Sequence, residues 1–168
     1  MQSKTQADLS VLFEPYELLG GRLKLKNRVV FPPCTRWLTP DGKNQNSTTG
    51  SVAEYYANRA GCGLLVTEGV YLDVPGGIGV HPEQTNFFGD ALDGWADVCK
   101  AVRAKEGLIV PQIHHVGIAR GPTVPSDPPI SPSGLSLNGK QVGEPLSIGA
   151  IQDLVASYAQ AARDCKRV

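Results

Sequence analysis

Three short apolar runs recur along the chain: RVVFPP at 28–33, LLVTEG at 64–69 and LIVPQIHH at 108–115. None alternates with polar residues at its start, so each reads as a strand covered on both faces, as in a parallel sheet flanked by helices. Helical periodicity fills the gaps. In SVAEYYANRAGCG, Val52, Tyr55, Tyr56, Arg59 and Ala60 fall at helical spacing, and Gly61 and Gly63 supply the stop. A second helix is expected from about Ala91 to Lys105, with Leu92, Trp95, Val98, Cys99 and Val102 on one stripe and Gly107 ending it. A third follows the Pro/Ser-rich stretch 121–146. Ser147 is its cap, and Ile148, Ile151, Leu154, Val155, Tyr158, Ala161 and Ala162 are its expected buried face.

The order is β-α-β-α-β-α, preceded by a hairpin signature in GGRLKLKN. Right-handed crossovers place all the helices on one side of a sheet that curls towards a barrel. The expectation is therefore an α/β fold, a partial (β/α)8 TIM barrel, as one truncated domain over residues 1–168.

The residues that break the apolar runs share a location. The first run ends in Cys34-Thr35-Arg36, the second in Thr67-Glu68-Gly69, and the third in Gln112 with His114. All lie at C-terminal strand ends, the rim where parallel α/β folds build their sites. Strand alternation puts Gln112 and His114 on one face and Ile113 and His115 on the other. The adjacent histidines therefore do not chelate one metal, and His115 reads as packed and hydrogen-bonded. Gln112 is expected as a buried amide, whose two donors and one acceptor call for a ligand with donor and acceptor edges.

Composition removes other classes. Sixteen basic residues balance sixteen acidic ones, so no charge field points to nucleic acid or to a membrane surface. GxGxxG and GxxxxGK[ST] are absent, which removes the Rossmann fingerprint and the P-loop. Cys34, Cys62, Cys99 and Cys165 are scattered without a CxxC pair, as reduced thiols would be. The opening MQSKTQADLSVLF lacks a signal-peptide core, and no run approaches the roughly 18 apolar residues of a membrane span, so a cytoplasmic protein is expected.

Four linked segments then carry a resemblance: LKLKNRVVFPPCTR, YYANRAGCGLLVTEGVYL, VRAKEGLIVPQIHHVG and LSIGAIQDLVASYAQAARDCKRV. In order, from about residue 11 to 168, they resemble the old yellow enzyme family of FMN-dependent ene-reductases, which are (β/α)8 barrels taking hydride from NADPH. The resemblance implies that Pro33, Cys34 and Thr35 lie along the isoalloxazine, with Thr35 near its N5/O4 edge. It implies that Gly69 lets the backbone approach the ring and that Gln112 bonds the pyrimidine edge. His114 then stands where the family often places an aromatic beside the substrate, and Trp37 helps wall the cavity.

By the same resemblance only three of eight barrel strands are present. The family's His/Asn substrate pair, tyrosine proton donor, flavin arginine and phosphate loops fall on the other five. An open three-stranded piece exposes sheet edges and the inner barrel face, so a second copy or a complementary chain is expected to cover them. Three functions stay open: an FMN ene-reductase, or its N-terminal portion, acting on α,β-unsaturated carbonyl compounds; a flavin-independent isomerase or cyclase using His114 with Glu68 or His115; and a non-catalytic remnant.

Overall fold

The computed structural model describes residues 7–36, 52–77, 85–120 and 129–168. An antiparallel hairpin comes first, β1 (Tyr16–Leu18) against β2 (Leu23–Leu25), with Tyr16 opposite Leu25. Its connection runs through Leu19, Gly20 and Gly21, all left-handed, and two of the three are the residue that takes that conformation without strain.

The rest is a parallel α/β unit. Strands β3 (Val30–Phe31), β4 (Leu64–Tyr71) and β5 (Ile109–His114) form one sheet in the order β3-β4-β5. Helices α1 (Val52–Ala57), α2 (Ala91–Arg103) and α3 (Ile148–Arg167) connect or follow them. Gly63 brings β4 in beside the hairpin. A side chain there would collide with the Asn27 backbone, and the bare backbone instead donates N–H to Val29 O at 2.9 Å.

The core lies between the sheet and α1 and α2. Tyr56, Leu65, Val70, Trp95, Val98 and Val102 are all buried in it. The stripe expected on α2 is the one that packs: Leu92, Trp95, Val98 and Val102 are buried and Cys99 half-buried. Trp95 also donates its indole N–H to Asn86 O at 2.9 Å, so its polar edge is satisfied inside the core.

Two expectations fail for one reason. β3 is two residues long rather than a buried six-residue run, and Val30 on it and Val110 on β5 are 48% and 40% exposed. On α3, Ser147 does cap the helix, its hydroxyl accepting from Ala150 N at 3.1 Å. Its expected buried face does not form, since only Ala161 is buried while Ile148, Ile151, Val155 and Tyr158 are exposed. Three strands do not curl onto themselves. Among the described residues, the sheet face towards the barrel axis and the exposed flank of α3 have no apolar cover, while Leu154 and Cys165 of the same helix pack against the core. Among the described residues no helix is long and apolar enough to cross a membrane.

Candidate functional site

The site is built where β4 and β5 end, and a β-bulge sets its geometry. Leu65 and Val66 pair with Ile109 and Val110, but Gly69, Val70 and Tyr71 pair with Gln112, Ile113 and His114. One extra residue of β4 is thus accommodated at Thr67-Glu68. Side chains and backbone stitch it in place. The Thr67 hydroxyl donates to Glu68 O at 2.7 Å and accepts from Gln112 N at 3.1 Å, and Glu68 N donates to the Tyr56 hydroxyl at 2.8 Å. Burial pushes the Tyr56 hydroxyl far above its usual range.

The bulge turns Glu68 inwards, where it is 1% exposed. Its carboxylate accepts the Arg36 backbone N–H at 3.0 Å and the Thr85 hydroxyl at 3.2 Å. Burial raises its pKa, opposed by the Arg36 amide, the Thr85 hydroxyl and the Arg36 charge, in that order. Glu68 is therefore a clasp holding the segment after β3 to the tip of β4. Both carboxylate oxygens are engaged inside the protein, so in this structure Glu68 ties the rim together and does not face open space.

His115 is occupied as well. Gly117 N donates to its Nδ1 at 2.8 Å, so Nε2 carries the proton and donates to Pro75 O at 3.0 Å. This is the packed, hydrogen-bonded histidine the sequence suggests, its partners being the backbone of Pro75 and of Gly117, the first residue of a short 3-10 turn over Gly117–Arg120.

Gly69, Gln112 and His114 come together across the β4–β5 pair. A Cβ on Gly69 would lie 2.7 Å from both Nδ1 and Cε1 of His114, and 3.4 Å from Gln112 Oε1. The His114 ring also packs on Tyr71, with centroids 4.6 Å apart, a neighbour that sequence reasoning missed. The pairing of strand ends would have pointed to it, since Tyr71 lies directly opposite His114. Nδ1 of His114 is buried with no hydrogen-bond partner among the described residues, and burial, then the neighbouring His115, lowers its pKa.

Gln112 is exposed, not buried as expected, because the inner face it occupies is open. Pro33, Cys34 and Thr35 are exposed on the segment that Glu68 anchors through Arg36. Trp37 lies outside the described residues.

Three parallel strands with helices on one side, and polar residues gathered at the strands' C-terminal ends, define part of a (β/α)8 barrel whose site is at its rim. The chain belongs to the NADH:flavin oxidoreductase / NADH oxidase family, whose pattern matches residues 11–168. It is 30% identical over 168 residues to the probable flavin mononucleotide-dependent alkene reductase of Leishmania infantum, covering 96% of this chain and 44% of that one. The structure of morphinone reductase in complex with tetrahydroNAD superposes with a TM-score of 0.77 at 31% identity, covering 93% of this chain and 46% of that one. The old yellow enzyme homologue from Zymomonas mobilis gives a TM-score of 0.74 at 29% identity, with 91% and 44% covered. The chain thus spans less than half the length of the relatives it matches.

One local feature of the residues present suits a flat ring such as a flavin. Gly69 offers a strip of backbone that a side chain would close. In this structure the His114 imidazole covers that strip, so a ring reaches the Gly69 backbone only once the imidazole has moved. Moving it gives up the contact with the Tyr71 ring, while its covered Nδ1 makes no hydrogen bond among the described residues.

Proposed function

We propose that this chain supplies the flavin-contacting rim of an FMN-dependent ene-reductase that reduces the C=C bond of an α,β-unsaturated carbonyl compound with hydride from NADPH. The convergence of Gly69, Gln112 and His114 at paired positions of β4 and β5 carries the reading. FMN, when bound, supplies two-electron hydride chemistry between a nicotinamide and an activated alkene.

The chain's own residues bind and orient. Gly69 keeps the floor flat. Gln112 presents two donors and one acceptor from an exposed position, suited to the pyrimidine edge of the ring. Pro33, Cys34 and Thr35 border the ring from the neighbouring strand end, held in reach by the Arg36–Glu68 bond. His114, neutral because burial disfavours its charged form, sits beside the substrate as a polar wall. The exposed inner face and α3 flank favour a second copy or a complementary chain as the cover.

A visible absorption spectrum of the purified chain with and without added FMN, read beside its mass in solution, is the test. A flavin band retained through gel filtration supports the reading. A colourless chain at every assembly state, after FMN addition, removes it.

One observation favours a second reading, a flavin-independent isomerase or cyclase. His114 has an unpartnered Nδ1 and a lowered pKa, which keeps it in the state of a general base. Turnover without flavin or NADPH, lost in His114→Ala, would identify that activity.

A further inference from the structure

We infer that the chain carries a second small-molecule site, for a compact apolar cation, in the cavity between the segment after β4 and the first turns of α3. The cavity holds about 260 Å³, and its lining shares no residue with the Gly69–Gln112–His114 cluster, so the inference stands apart from the flavin reading. Val74, Pro75, Ile130 and Leu154 make its apolar wall, while Asp73 and Asp153 bring two carboxylates to it from different segments.

Its walls are held without help from a ligand. On one side, Pro75 O accepts from His115 Nε2 at 3.0 Å, and Gly77 N donates to Val74 O at 2.9 Å. Gly117, which bonds the same histidine through its N–H, lies close enough to Ile130 that a Cβ there would be 3.7 Å from Ile130 O. On the other side, Ser157 Oγ donates to Asp153 O at 2.9 Å, fixing the α3 turn that presents the second carboxylate. A cavity whose walls are already hydrogen-bonded asks little reorganisation of its ligand.

Charge selects the ligand. Among the described lining residues none is basic and two are acidic. The start of a helix ordinarily invites an anion. Here the N–H of Ala150, a lining residue, is taken by the Ser147 hydroxyl, which weakens that alternative. The volume is below the roughly 300–1,000 Å³ of ordinary ligand pockets, so the ligand is about one ring in size. A primary ammonium carried on one apolar ring meets both demands: its body covers the apolar wall, and its charge is drawn to the two acidic lining residues.

The test titrates the full chain with benzylamine, benzyl alcohol and benzoate, reading backbone amide shifts by NMR. Benzylamine is expected to give saturable shifts at Val74, Ala150 and Leu154, with benzyl alcohol about tenfold weaker and benzoate silent. The double variant Asp73→Asn with Asp153→Asn, both at exposed positions, is expected to weaken benzylamine by about tenfold or more. Leu154→Phe, which fills the cavity from α3, is expected to abolish the shifts while far-UV circular dichroism keeps its helical signal. No saturable shift at these amides overturns the inference. So does benzoate binding as tightly as benzylamine, or benzylamine binding that survives the double substitution.

Discussion

Glu68 Oε2 accepts the backbone N–H of Arg36 at 3.0 Å, across 32 residues of sequence. Through this bond a buried side chain of β4 fixes where the tip of the neighbouring strand goes. Glu68→Gln keeps an oxygen for the Arg36 amide and removes the burial of charge, so it is expected to change stability by less than about 1 kcal/mol at neutral pH. Glu68→Ala leaves the Arg36 N–H and the Thr85 hydroxyl without it and is expected to cost about 1–3 kcal/mol in urea unfolding. The wild-type carboxyl is raised in the folded state, so folding binds extra proton there. Its stabilisation is complete below the unfolded carboxylate value of 4.5 and fades as pH rises through the folded value. Glu68→Gln is expected to flatten that part of the stability–pH curve.

Gly69 and His114 should couple. Gly69→Ala places a Cβ 2.7 Å from the imidazole and forces the ring to swing, so its destabilisation is expected to shrink in a His114→Ala background, as a double-mutant cycle would read. FMN separates the two roles of the glycine. His114→Ala alone is expected to keep or improve flavin binding, whereas the double variant folds like His114→Ala yet binds FMN at least about tenfold more weakly.

His114 should titrate below the usual histidine value of 6.5 when followed by NMR, and His115→Gln should move it up, because the charge of His115 is the second cause of the depression after burial. The folded state keeps this imidazole neutral. Its contribution to stability is therefore present above 6.5 and is lost as pH falls through the lowered folded value.

Free chain should self-associate as concentration rises, since Ile148 and Val155 on α3 are 72% and 65% exposed on the flank with the other open apolar residues. Ile148→Lys with Val155→Lys is expected to lower the mass seen by light scattering while leaving the helix intact, because neither side chain is buried in the core.

Much of this was legible in the sequence. The α2 stripe, the hairpin, the parallel order and the gathering of polar residues at strand ends follow from periodicity and from which residues interrupt an apolar run. For Gln112 the sequence points to the correct strand and the wrong environment: alternation gives its face but does not say whether that face is covered. The face of α3 misleads for the same reason, as the apolar periodicity of a helix calls for a partner without saying where that partner is. Glu68 shows a subtler limit. A carboxylate inside LLVTEGVY announces that something must bind it, yet its partners, Arg36 and Thr85, are far away in sequence, and only the fold brings them near.

The extra residue at Thr67-Glu68 also constrains how this chain can be engineered. Deleting one residue there would restore one-to-one pairing from Leu65 to Tyr71 and leave Gly69 opposite Gln112, but it would cost the bulge one of the two side chains, Thr67 or Glu68, that tie the strand tips together. A chimera that grafts this half onto the remainder of a relative should therefore take its crossover beyond Tyr71, inheriting the irregularity whole, and alignments that trim it as a stray insertion would design it out.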